Sequence, residues 1–211
     1  SEMCIRDSIN AFTDGSWVNA RCAYLAHGGS GVWWPGRAPV EPLRDCREAT
    51  QAEVALADFA HADSQGVRLG VSIRGHGGSS TRTELGAAIL ALAAPVPVHV
   101  GTDSQSFLVR ALRVRERLLQ ARPPPRPWLL VTDGDYWEHF ERCLVARSPR
   151  SAFFSKVKGH ATEADVQRGL TTERNRIEND HADSVAEEAV AQASFYGNST
   201  PRADQTLPEL T

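Results

Sequence analysis

The chain lacks several features that would place it in a familiar class at once. Its four cysteines, Cys4, Cys22, Cys46 and Cys143, are widely spaced and form no Cys-x-x-Cys pair, which argues against a zinc ribbon. Scattered free thiols fit a reducing, intracellular compartment, cytoplasm or nucleus. No run approaches the ~18 apolar residues of a membrane helix, so no membrane span is expected. No basic-then-apolar signal peptide opens the sequence. His61, His76, His99 and His181 have no ligand spacing with the cysteines. The chain also lacks an overall basic excess, with a formal net charge of −3. On that figure alone a nucleic-acid partner would be set aside.

The net charge conceals a segregation. Residues 110–126 carry Arg110, Arg113, Arg115, Arg117, Arg122 and Arg126 against Glu116 alone. Residues 147–160 carry Arg147, Arg150, Lys156 and Lys158 without an acid, while acids gather in 41–63 and 163–188. A local basic face is what phosphate contacts require, whatever the total. With 211 residues, 41% of them hydrophobic, one domain with a real core is expected.

Periodicity supplies the elements. Ile9–Phe12, Gly31–Trp34 and the alternating Val67, Leu69, Val71 and Ile73 read as three strands joined antiparallel. Residues 48–62 read as a helix on Ala52, Ala55, Leu56 and Phe59. A helix from Thr81 to Pro95 precedes a fourth strand at Val96, Val98 and Val100. A basic helix spans Ser104–Arg122 and stops at Pro123-Pro124-Pro125. Trp128–Val131 reads as extended, Asp135–Ala146 as helix, Phe153–Val157 as a fifth strand and Asn179–Ala193 as a closing helix. Trp33, Trp34, Trp128 and Trp137 are core candidates; Trp17 fits the core or a groove wall. The pattern predicts an α/β fold, a mixed sheet flanked by helices, with parallel strands joined by helical crossovers. Residues 1–8 read as a non-native or disordered leader and 195–211 as a disordered tail. Insertions fall near 36–66 and 162–177 of the domain at 9–194.

Four acids stand at expected element boundaries: Asp14 in Thr-Asp-Gly-Ser, Glu84 in Thr-Arg-Thr-Glu-Leu, Asp103 in Gly-Thr-Asp-Ser-Gln, and Asp183 in Asn-Asp-His-Ala-Asp. Each has an ordinary explanation. Thr81-x-x-Glu84 matches a capping box. Asp103 fits an N-cap, Asp14 a turn, and Asp183 a solvated helix face. His160, flanked by Gly159, fits a surface loop. The alternative is convergence. Acids from distant points in the sequence repel one another unless a cation sits among them, and oxygen ligands favour a hard divalent metal.

The order of these motifs resembles ribonuclease H type 1. Asp14-Gly15-Ser16, Thr81-x-x-Glu84, Thr102-Asp103-Ser104-Gln105, Lys158-Gly159-His160 and Asn179-x-x-Ala182-Asp183 follow in the family's sequence, across residues 9–193. Trp33-Trp34-Pro35, the Ser79–Leu85 stretch and Lys156-Val157-Lys158-Gly159-His160-Ala161-Thr162 are similar to retroelement members associated with reverse transcriptase. The resemblance implies a five-stranded sheet of order 3-2-1-4-5. It also implies hydrolysis of the RNA strand of RNA–DNA hybrids. Asp14, Glu84, Asp103 and Asp183 would hold two Mg²⁺ ions, for which Mn²⁺ can substitute, and His160 would be the loop histidine. Gly15, Ser16, Ser79, Ser80, Thr81 and Gln105 would touch the hybrid, with Arg113 and Arg117 on the opposing backbone. An upstream reverse transcriptase domain of a longer polyprotein is an implied partner. Two other functions remain open: a catalytically lapsed hybrid-binding module, and another nuclease or integrase of the same fold.

Overall fold

The computed structural model describes residues 8–22, 25–37, 50–73 and 78–196. Residues 1–7, 23–24, 38–49, 74–77 and 197–211 lie outside the described residues, and with them most of the expected leader and tail and the Pro-rich part of the first insertion. The elements are β1 (Ala11–Val18), β2 (His27–Pro35), α1 (Gln51–Leu56), β3 (Phe59–Ala62), β4 (Gly66–Ile73), α2 (Ser80–Leu92), β5 (Val98–Thr102), α3 (Gln105–Leu119), α4 (Gly134–Arg147), β6 (Ala152–Lys156), α5 (Glu163–Gln167) and α6 (Glu173–Tyr196).

The six strands lie in the order β3-β4-β2-β1-β5-β6. β1, β2 and β4 form an antiparallel meander, and β5 and β6 run parallel to β1. Without β3 this is the expected 3-2-1-4-5 order, so the correction is one additional edge strand. It arises where a single helix was expected over 48–62. Thr50 caps α1 and forms a reciprocal capping box with Glu53, but Ala57 is already extended. Asp58 then accepts the backbone N–H of Ser72 at 2.7 Å, and the Phe59 ring lies over Gly70, which pins the following residues to β4. Tertiary pairing overrides the helical spacing of Phe59.

Three further boundaries move. β1 runs on through Asp14 to Val18, paired with β2 along its length, so Asp14 is within a strand and not in a turn. Trp128–Leu130 is a single 3-10 turn rather than extended, with Leu129 94% exposed and Leu130 72% exposed. The polar 162–177 insertion holds α5 and the first turn of α6, which begins six residues before Asn179.

α2 is buried on every side from Thr83 to Leu92, as expected of a helix covered by the sheet and by its neighbours. Ser30 of β2 donates to the Thr83 carbonyl at 2.6 Å, tying helix to sheet. On the far side Phe107, Trp137, Phe140 and Phe154 form a cluster of ring contacts. A smaller core of Ile9, Phe12, Trp33, Val157 and Ala182 underlies α6. Trp33 and Trp34 are buried and Trp137 fully so, which bears out their place in the core; Trp128 is part-buried. Among the described residues no helix is long and apolar enough to cross a membrane.

The start of α1 is held by a buried ion pair. Arg37 reaches Glu53 at 2.9 Å with side chains 2% and 0% exposed, and Thr50 donates to the same carboxylate from its backbone N–H and its hydroxyl. Removing one partner strands the other without water. Arg37→Ala is expected to cost ~3–5 kcal/mol, read as a shift in the urea midpoint at constant slope. A change under ~1 kcal/mol would mean the pair is readily replaced by solvent.

Candidate metal centre

Asp14, Glu84 and Asp103 come together. Each offers a carboxylate oxygen, and these oxygens lie within 4.8 Å of one another. The backbone explains how. β1 and β5 are adjacent and parallel, with Thr13 beside Thr102, so the residue that follows each of these threonines, Asp14 within β1 and Asp103 just past β5, is an acid. Glu84 arrives from α2, which approaches β1 very closely at Gly15. A Cβ on Gly15 would fall 2.5 Å from the Glu84 backbone nitrogen. Gly15 therefore contributes to the site by having no side chain.

The ordinary readings of these acids give way one by one. Ser79, not Thr81, is the N-cap of α2, and its hydroxyl accepts from the Arg82 N–H at 3.0 Å. Thr81 is already helical, so the capping box is not formed and Glu84 is free of that task. Ser104 likewise caps α3 in place of Asp103, accepting from the Phe107 N–H. Asp183, half-buried on α6, lies outside this three-acid group but close enough to Asp14 for the two carboxyls to act on one another. Two carboxyl groups in such contact need a shared proton or a cation.

Glu84 is 7% exposed, and its Oε2 has no hydrogen-bond partner. The Thr102 hydroxyl, which accepts the Ser104 N–H at 3.1 Å, favours the charged form of this carboxyl. Burial, then the charges of Asp14 and Asp103, push the Glu84 carboxyl up to about 9. Burial, the Asp183 contact and the Asp103 charge push Asp14 up to about 7. A buried, unpartnered carboxylate oxygen facing two further acids is a donor set suited to a hard divalent cation, and the residues fit such a group.

His160 lies in the turn after β6, exposed and at a φ of +44°. Its neighbour Gly159 abuts the Asp103 carboxylate so closely that a Cβ there would meet Oδ2 at 2.1 Å. The loop is thus seated on the acidic cluster while its imidazole remains outside. Ser80 and Gln105 are exposed, and Ser16 and Thr81 are half-buried. Ser79 is otherwise occupied: besides capping α2 it donates to Asp133 at 2.8 Å. Arg113 is exposed, but Arg117 pairs with Glu141 at 2.6 Å with 12% of its side chain exposed, so the two do not form the open basic pair their spacing suggested. Two residues at the site had no role from sequence alone: Thr102, and Lys156, whose ammonium donates to the Asp103 carbonyl. Thr102 carries a signal only as the residue before Asp103. Lys156 carries one as the last residue of the strand beside β5, paired with Thr102 just before Asp103.

No family model and no curated protein matches the chain. Solved structures do. The chain is similar to the RNase H domain of PFV in solution at 18% identity and a TM-score of 0.53, covering 86% of this chain and 93% of that one. It is similar to the protease–reverse transcriptase of prototype foamy virus at 18% identity and a TM-score of 0.51, covering 85% of this chain and 20% of that chain. It is also similar to LC9-RNase H1, a type 1 RNase H with the type 2 active-site motif, at 15% identity and a TM-score of 0.50, covering 86% and 71%. The chain spans about a fifth of the foamy virus protease–reverse transcriptase.

The raised carboxyls carry a sign for stability. Their ordinary values are 3.8 and 4.5 and both rise in the fold, so the folded chain holds protons that the unfolded chain releases. That contribution is complete below about pH 4 and is lost as pH climbs through about 7 and then about 9. Without divalent ions, Glu84→Gln is expected to flatten the decline in urea stability between pH 5 and 9 and to gain ~1 kcal/mol or more at pH 8. A wild-type profile rising with pH over that range would contradict the sign. Gly15→Ala should act oppositely, forcing α2 off β1 at a cost of ~1–3 kcal/mol in the same measurement. A neutral result there would show that the helix approach has slack. The strand order, the flanking helices and the resemblance to solved domains agree with the motif order read from the sequence: the chain has the ribonuclease H fold.

Proposed function

We propose that the protein is an endoribonuclease that hydrolyses the RNA strand of RNA–DNA hybrids with divalent metal. One observation carries this reading: three carboxylates from β1, α2 and the end of β5 converge, with a buried Glu84 oxygen left without a partner. A solvated acidic surface would not leave an acceptor buried and bare. The fold shared with RNase H domains supports it.

Asp14, Glu84, Asp103 and Asp183 would hold the metal, two Mg²⁺ ions, with Mn²⁺ as a substitute. Bound there, the ions would polarise the scissile phosphate and make water a better nucleophile. Water oxygen bonds to phosphorus, the bond to the 3′ oxygen breaks, and no protein nucleophile is consumed. The chain's own groups position and carry protons. Glu84 from α2 and Asp14 from β1, the latter beside Asp183, present oxygens within 4.8 Å of each other and of Asp103. The His160 imidazole, exposed on the loop that rests on Asp103, can move a proton between a departing oxygen and solvent. Ser16, Ser80, Thr81 and Gln105 are small or exposed polar groups able to meet 2′-hydroxyls, and Arg113 can meet a phosphate. Gly15 and Ser79 serve by positioning. A reverse transcriptase domain in the same polyprotein is a partner consistent with the length relation to the foamy virus enzyme.

Incubation of the chain with labelled hybrid, duplex DNA and single strands in Mg²⁺ tests the proposal. Cleavage confined to the RNA of the hybrid is expected. Hybrid binding without cleavage would favour a lapsed module, and cleavage of duplex DNA another nuclease of this fold. Asp103→Asn should reduce cleavage at least ~10³-fold while metal-free stability holds or rises, because repulsion among the acids is relieved. If that variant unfolds, Asp103 is structural.

A further inference from the structure

We propose that Lys156 is the resident counter-cation of the acidic cluster: it steadies Asp103 and Glu84 in the metal-free chain, and a divalent ion takes over that role. The second half rests on the metal reading above; the first does not.

Lys156 is the last residue of β6 and sits beside Thr102 in the parallel ladder. It is exposed, so its side chain has solvent available. A lysine in that position would ordinarily extend its ammonium into water. Instead Nζ turns back over the strand end and donates to the main-chain oxygen of Asp103. Its positive charge acts on Glu84, against the charges of Asp14 and Asp103. Among the described residues it has no carboxylate within ion-pair distance, whereas Lys158, two residues on, reaches Asp165 at 3.6 Å. The two lysines therefore have separate tasks. Lys158 fastens the loop after β6 to α5, and Lys156 faces the acids.

The charge arithmetic supports a holding role. Carboxylates about 4 Å apart repel by roughly 4 kcal/mol at an effective dielectric near 20, and one fixed cation at the rim offsets part of that. The same cation opposes an arriving divalent ion. Its removal should therefore loosen the metal-free site and strengthen metal uptake together. A merely structural lysine, holding a strand end through a carbonyl, would loosen the fold without altering metal uptake.

The test uses the full chain with Mg²⁺ alone and no nucleic acid, at pH 8.5, where more of the cluster is ionised. Melting midpoints in chelator and calorimetric Mg²⁺ titrations are compared for wild type, Lys156→Gln, Lys156→Arg, Glu84→Gln and the Lys156→Gln/Glu84→Gln double variant. Lys156→Gln is expected to lower the metal-free midpoint by several degrees and to bind Mg²⁺ roughly three- to tenfold more tightly. Lys156→Arg should restore wild-type behaviour, and the midpoint loss should shrink when Glu84 is already glutamine. The proposal is overturned if Lys156→Gln leaves midpoint and Mg²⁺ affinity unchanged, or if its loss persists in full in the Glu84→Gln background. A wild type without saturable Mg²⁺ binding overturns the metal reading and the exchange with it, while the metal-free double-variant cycle still decides whether Lys156 steadies the acids.

Discussion

Everything at this site follows from bringing carboxylates together against their mutual repulsion. Asp14, Glu84 and Asp103 would separate if the backbone allowed it. They stay because each is fixed by a different element whose position is set elsewhere. The β1–β5 ladder fixes two of them, since residues after Thr13 and Thr102 must be neighbours. The third comes from α2, whose close approach the absence of a side chain at Gly15 permits. The fold also relieves the acids of local duties. Serines cap both helices that begin near them, so none of these three carboxylates is spent on a helix N-terminus.

Such an arrangement needs a stiff surround, because a site that destabilises itself must be held by packing beyond it. α2 supplies it. The helix is enclosed along its length, and its end is fixed by Arg147 of α4, which donates to the Leu92, Ala94 and Val96 carbonyls. Burial lowers the Arg147 guanidinium to about 10, but three carbonyl acceptors keep its donors satisfied. At the other end Arg82 links α2 to α4 through Asp135 and lies 4.0 Å over the Tyr136 ring. The helix that carries Glu84 is thus clamped at both ends, and the electrostatic cost is borne by the packed core around it.

What the sequence made legible is what depends on chemistry, and what it hid is what depends on distant contacts. Strands β4 and β5 and the long helices follow from periodicity, since alternation and helical spacing are local properties. The acids were legible as a set because their order matched a known family, not because any one motif was specific. β3 was hidden: the six residues of α1 and the strand after it share one apolar spacing, and contacts with β4 from Asp58 and Phe59 divide them. The false capping box at Thr81 arose because Ser79, two residues earlier, competes for the same role and wins. Lys156 was hidden for the same reason, as its partner is a backbone carbonyl fifty-three residues away.

The arginines of 110–126 show how far charge counting can mislead about where a polyanion would lie. Arg110 sits 4.5 Å over the Trp137 ring, Arg115 donates to the Pro149 carbonyl and covers Phe153, and Arg117 is paired with Glu141 against Trp128. These three use their planar heads to pack α3 against its neighbours, a task at which arginine exceeds lysine. What is left to face a nucleic acid is Arg113, with Arg122 and Arg126 exposed on the proline-rich loop beyond α3. The electrostatic footprint is therefore smaller than six residues and displaced toward that loop. A phosphate drawn to it would be held toward the far end of α3, about 22 Å along a fifteen-residue helix from the acids beyond its N-terminus at Ser104.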